Sequence, residues 1–164
     1  MDAGRTITEA SIIIEHLGSY HPGPVSLLPT NVRAAIEVRS MDRFFDNYIS
    51  TPQQKIVFDS LRPEADARGV ADTRAMLDTT YGWLDKVMAN RECAAGDSFS
   101  LADCGAAPFL FYADWTHRIG VSFPHAIARR KRLLRARRSH APSTRRVRIA
   151  RCSRSARPLA IESA

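Results

Sequence analysis

Three stretches of the chain repeat apolar residues at steps of three and four, the spacing of helices that bury one face. The first covers Asn31–Ser50, where Val32, Ile36, Met41, Phe44, Phe45 and Tyr48 fall on one side, with Thr30 as N-cap and Pro52 as its end. The second runs over Asp66–Asn90, with Val70, Thr73, Leu77, Tyr81, Leu84 and Met88 on one stripe. The third opens on Ser100-Leu-Ala-Asp103, an acidic variant of the capping box. In it the Ser100 hydroxyl accepts from the amide of Asp103, whose carboxylate reaches back to the amide of Ser100. Leu101, Cys104, Pro108, Phe111 and Trp115 then continue the apolar spacing, and Pro108 bends the helix or sits near its first turns. Tyr81, Trp83, Phe111 and Trp115 are expected in the core.

Ahead of these helices, Arg5–Thr8 alternates like the end of a strand, and Glu9–Leu17 reads as a short helix stopped by Gly18. Pro22, Gly23, Pro24 and Pro29 then make a linker that cannot continue a helix. Val121–Leu134 starts one more helix. The expected division is a strand–helix unit over 1–18, a linker over 19–29, a helical domain over 30–134 and an Arg-rich, disordered tail over 135–164. The fold class is mainly α.

Charge changes this picture only at the tail. The chain carries a formal +7, but 13 of its 24 Lys and Arg and one of its 17 acids lie after residue 125. Residues 1–125 therefore hold 11 basic against 16 acidic groups, so the body is mildly acidic. The longest apolar run, Cys104–Ala113, is half the roughly 20 residues a membrane span needs, and the opening residues do not read as a signal peptide. No membrane association is expected. Cys93, Cys104 and Cys152 form no CxxC and have no histidine at ligand spacing, so neither a disulfide framework nor a metal site is expected, and the setting reads as cytoplasmic. The five histidines are scattered along the sequence, and none is assigned a role.

The run Gly96-Asp-Ser-Phe-Ser-Leu-Ala-Asp103, followed by Ala106-Ala-Pro-Phe-Leu-Phe-Tyr-Ala-Asp114, is similar to the capping-box and core-helix motif of cytosolic glutathione transferases. Arg43-Phe-Phe-Asp-Asn-Tyr48 resembles the first long helix of their C-terminal helical domain. Arg5–Leu17 looks like the last strand and helix of their thioredoxin-like N-terminal domain. The three segments stand in family order over residues 4 to 134. The resemblance implies a C-terminal-domain-like helical bundle behind a remnant of the thioredoxin-like domain. The implied ancestral reaction adds the glutathione thiol to small hydrophobic electrophiles, with glutathione as co-substrate and no other cofactor. It also implies a homodimer through the Asn31–Ser50 helix.

In that family a Glu-Ser pair opening the short helix holds the γ-glutamyl end of glutathione. Here the pair reads Glu9-Ala10, with Ser11 about 100° further round, so glutathione binding is expected to be weak or absent. Asp42, Arg43, Asp46 and Asn47 are candidates for the substrate cleft, against a plain solvated helix face. Ser100 and Asp103 are a structural cap. The thiol-activating position of the family would fall ahead of Met1, so no catalytic residue is assigned, and the chain is expected to be a truncated, inactive relative. Ile12, Ile13 and Ile14 are then expected to be partly exposed, with marginal folding.

Two alternatives stand beside it: a protein–protein pairing module, and polyanion binding through residues 129–157. The second is disfavoured, because the tail lacks interleaved aromatics. Ser143–Arg157 can be written in GC-rich codons that, shifted by one base, spell Val-Asp-Glu-Ala-Arg-Pro-Tyr-Arg-Ala-Leu-Phe-Pro-Leu-Gly-Ala. The tail is therefore expected to be read-through in a shifted frame, which sequencing the gene decides.

Overall fold

Asp66 begins the longest helix and caps it with its own side chain, whose Oδ1 accepts from the Gly69 amide at 2.8 Å. The computed structural model of the protein describes residues 4–139, with side chains as far as Arg135. Within that span lie α1 (Ala10–Tyr20), α2 (Val32–Phe44), a π-helical segment (Phe45–Ser50), α3 (Thr51–Asp59), α4 (Ala67–Met88), α5 (Leu101–Thr116) and α6 (Pro124–Ser139). Helix α4 buries the expected stripe: Thr73, Leu77, Tyr81, Leu84 and Met88 are inside, and Val70 packs against them. The Tyr81 hydroxyl donates to the His117 carbonyl at 3.1 Å, so burying the ring orphans no polar group. Burial also pushes its ionisation upward, which keeps it a neutral donor.

The helix expected over Asn31–Ser50 differs in several respects. Its cap is Asn31 and not Thr30: Asn31 Oδ1 accepts from the Ala34 amide at 3.0 Å. Val32 and Ile36 are exposed, and the buried face carries Ala35, Val38, Met41, Phe45 and Ile49. Met41 and Phe45 of the expected stripe are thus inside and Phe44 packs against the core, while at the start of the helix Ala35 and Val38 turn inward in place of Val32 and Ile36. Pro52 does not end the helical path, which runs on through α3 to Asp59. Proline is tolerated in a first helical turn, and the preceding π segment supplies the break in hydrogen-bond register that places it there.

Helix α5 occupies the middle of the bundle, packing against α2, the π segment, α3, α6 and α1. Its buried residues are Leu101, Ala102, Asp103, Ala106, Leu110 and Ala113. Of the stripe read as core, Leu101 is buried, Cys104 and Pro108 are half-buried, Phe111 is exposed, and Trp115 is 77% exposed. Trp83 is exposed as well, so of the four aromatics expected inside only Tyr81 is. The buried positions of α5 mix Leu101 and Leu110 with the small Ala102, Ala106 and Ala113, while Phe111 and Trp115 stay outside. Pro108 lies inside α5, which continues to Thr116.

At the N-terminal side, Arg5 is a single β-bridge residue and residues 6–8 have no regular structure, so Arg5–Thr8 forms no extended strand among the described residues. Helix α1 passes through Gly18 to Tyr20, at a cost of about 1 kcal/mol relative to alanine. The linker therefore starts at His21. Its Leu27 carbonyl accepts from the Leu101 amide at 2.9 Å, pinning it over the start of α5. Ile12, Ile13 and Ile14 are all partly exposed as expected, Ile14 the least, since it packs against the core.

Helix α6 runs Pro124–Ser139, later than Val121–Leu134 and into the expected tail; the rest of that tail, 140–164, lies outside the described residues. His117 is paired, its Nε2 lying 2.8 Å from Asp78 Oδ1. No helix among the described residues is long and apolar enough to cross a membrane, and no group of His, Cys, Asp and Glu among them is arranged to hold a metal.

Candidate functional site

Helices α1, α2 and α5 enclose a cleft of about 230 Å³. Helix α1 contributes Glu9 at its N-cap together with Ala10, Ser11 and Ile14; α2 and the π segment contribute Asp42, Arg43 and Asp46; α5 contributes the wall of Leu101, Cys104, Gly105, Pro108 and Phe109. Five of the six residues proposed from sequence for the vestigial glutathione site and the substrate cleft thus share one cavity. Asn47 does not: it is exposed and is not part of the lining.

Asp42 organises the polar end. Its residue is only 4% exposed, which corrects the reading of this position as solvated helix face. Oδ2 accepts from the Ser11 hydroxyl at 2.6 Å and from Arg43 at 3.1 Å. Arg43 also reaches Ser11 Oγ at 3.2 Å and forms an ion pair with Asp46 at 3.1 Å. The hydrogen bond to Asp42 holds the guanidinium more firmly ionised than an ordinary arginine, against its partial desolvation, with the charges of Asp42, Asp46 and Glu9 adding to the effect. Ser11 is therefore engaged by an internal carboxylate.

Glu9 has a left-handed backbone, φ 68°, uncommon for a residue with a side chain. This turn brings the chain onto the cleft rim before α1 begins. On the α5 side, Gly105 admits the carboxylate: a Cβ built there would stand 3.0 Å from Asp42 Oδ1. Gly105 escaped the sequence reading, although a glycine inside an apolar helical run is a recognisable sign of close backbone approach. Cys104 lines the cleft and is not a simple core residue. Burial, followed by the charges of Asp103 and Asp42, pushes its thiol above the usual cysteine range. Burial does the same to Cys93.

The capping pair expected at Ser100 and Asp103 is present, and it does more than cap. Asp103 is fully buried; its Oδ2 accepts from the Ser100 amide at 2.9 Å and its Oδ1 from the Ala94 amide at 2.9 Å. Oδ1 also binds the guanidinium of Arg129, which is 4% exposed and further donates to the Glu92 carbonyl. One carboxylate thus ties the start of α5 to the preceding loop and to α6, beneath the wall of the cleft. The Arg129 partner was not legible from spacing. Likewise Arg130 turns back to Asp114 at 2.9 Å.

This helix order and packing define the class: the chain has the glutathione S-transferase fold. A glutathione S-transferase domain-containing protein of Marinobacter aquaeolei VT8 superposes with a TM-score of 0.69 at 22% identity, over 81% of this chain and 68% of its own. A glutathione S-transferase of Methylobacillus flagellatus KT, solved with glutathione bound, gives 0.70 at 22% identity over 80% and 67%. One from Rhodospirillum rubrum F11 gives 0.68 at 25% identity over 87% and 64%. The chain thus spans 64–68% of these three structures. No protein-family model and no curated protein matches it.

Proposed function

We propose that these residues are the helical part of a glutathione-transferase-type protein, a cytoplasmic family member. Its cleft between α1, α2 and α5 receives the polar end of a γ-glutamyl thiol peptide, but the 164-residue polypeptide does not activate the thiol. The observation that carries this reading is the meeting of Glu9, Ser11, Asp42, Arg43 and Asp46 around one cavity in a fold of this class. Thiol addition needs the thiolate, and a thiolate is favoured by nearby cations or hydrogen-bond donors and disfavoured by carboxylates. Here three carboxylates face one guanidinium, and the Ser11 hydroxyl already donates to Asp42. Such a site suits the ammonium of a γ-glutamyl group better than a sulfur anion.

The test is a pair of measurements on the purified chain. Glutathione titrated against it is expected to shift the amides of α1 and α2 with millimolar affinity, about −4 kcal/mol. Conjugation to a chromogenic aryl halide is expected to stay at the rate without protein. Shifts confined to other helices would remove the binding half of the proposal; enzyme-like turnover would remove the other.

A second reading, pairing with another copy, is favoured by the exposed aromatics on the α2–α4 side. Phe44 and Trp83 rings lie 4.4 Å apart, with Tyr48 5.7 Å from Phe44, and Trp83 and Tyr48 are both substantially exposed. Sedimentation is expected to show a concentration-dependent dimer that Trp83→Ala weakens; a monomer at all concentrations excludes this reading. Polyanion binding through 129–157 is the less favoured alternative, because Arg129 and Arg130 are spent inside the fold on Asp103 and Asp114.

A further inference from the structure

Helix α1 is attached to the bundle differently from every other helix. None of its residues is buried, and Ile14 alone packs against the core. Ile12, Ile13, Leu17 and Tyr20 are exposed. Besides its packing on α5, it has side-chain ties to α2: Ser11 to Asp42 at 2.6 Å, Arg43 to Ser11 at 3.2 Å, and the two-pronged pair of Arg39 with Glu15 at 2.9 and 2.8 Å. On one side it joins Glu9, whose left-handed backbone carries no capping side-chain bond for the helix. On the other it joins the linker, whose Leu27 carbonyl is pinned to the start of α5. Helices fixed by apolar burial open with the whole domain, whereas segments fixed by exposed polar ties open locally at much lower free energy.

We propose that α1 is a hinged wall of the cleft, latched to α2 by the Glu15–Arg39 pair and the Ser11–Asp42 bond, and that it swings away while α2–α6 stay folded. Because α1 carries Glu9, Ala10, Ser11 and Ile14 of the lining, its release opens the cavity from about 230 Å³ to an open groove along α2 and α5. Ligand access is then governed by an ionic latch. The inference concerns the wall itself and holds whatever the cleft binds.

Hydrogen exchange on the full chain tests it without any ligand. Amides of α1 are expected to exchange at least about 100-fold faster than those of α4 and α5, a gap set by local against global opening. Arg39→Glu is expected to speed α1 a further two- to fivefold, about what an exposed ion pair is worth, and to leave α4 unchanged. Combining it with Glu15→Arg is expected to restore the original rate. Should Arg39→Glu unfold the chain, salt on the unaltered protein supplies the second measurement. Raising ionic strength to 1 M, where screening acts within about 3 Å, is expected to speed α1 selectively. The proposal is overturned if α1 and α4 exchange together, or if neither charge reversal nor salt moves α1 relative to α4.

Discussion

Replacing Asp103 by asparagine keeps the shape of the side chain and removes its charge, which makes it a sharp probe of what holds this bundle together. In the folded chain both carboxylate oxygens receive donors: Oδ2 from the Ser100 amide, Oδ1 from the Ala94 amide and from Arg129. An amide group offers one oxygen and one NH2, so at least one of these donors faces another donor, and Arg129, 4% exposed, loses its counter-charge. Breaking a buried pair in this way costs about 3–5 kcal/mol, a large share of the roughly 5–15 kcal/mol available to a domain. For a chain of this size that corresponds to a fall in Tm of about 10–20 °C. Urea melts followed by circular dichroism provide the assay, with an unchanged slope reporting that the unfolded state is the same. Arg129→Met alone is expected to cost less, since Asp103 keeps its backbone donors, and the double variant is expected to recover at least about 2 kcal/mol of the summed losses. A loss under about 1 kcal/mol for Asp103→Asn, or strict additivity in the double variant, would refute the view of Asp103 as the tie between α5 and α6.

Two further outcomes follow from the cleft and its neighbours. Gly105→Ala gains up to about 1 kcal/mol of helix propensity, yet its new methyl stands 3.0 Å from Asp42 Oδ1, and Asp42 is held in place by Ser11 and Arg43. The net effect expected in a thermal melt is a loss of about 1 kcal/mol, and a gain would mean that Asp42 moves easily. In a Cys152→Ser background, iodoacetamide is expected to label Cys93 and Cys104 slowly at pH 7 and faster as the pH rises beyond the usual thiol range, because burial raises both thiols and only the thiolate reacts. Rapid labelling of either at pH 7, read by mass spectrometry, would contradict the burial argument.

The parts of this fold that could be read from sequence are those where local chemistry and tertiary contact agree. Ser100 and Asp103 announce a helix start by spacing alone, and the α4 stripe from Thr73 to Met88 keeps one apolar period that goes inside, while Met76 and Trp83 off that stripe stay exposed. Helices α2 and α5 each offered two candidate faces. Size favoured Val32 and Ile36, or Phe111 and Trp115; the bundle took Ala35 and Val38 alongside Met41 and Phe45, and Ala102, Ala106 and Ala113 alongside Leu101 and Leu110. The π segment added a phase shift that a 3.6-residue projection from Val32 does not contain. The cleft was legible as a set of residue types, but Ser11 and Asp42 stand 31 positions apart, and that meeting depends on how α1 lies across α2.

Helix α6 lives on borrowed carboxylates. Its first amides, those of His125 and Ala126, are received by Asp85 of α4 at 2.7 and 3.0 Å, while Asp103 and Asp114 of α5 neutralise Arg129 and Arg130. Such a helix has little reason to form before α4 and α5 have met. A synthetic peptide of residues 124–139 is accordingly expected to be a coil in water, and strong helicity in that peptide would show the order of assembly to be otherwise.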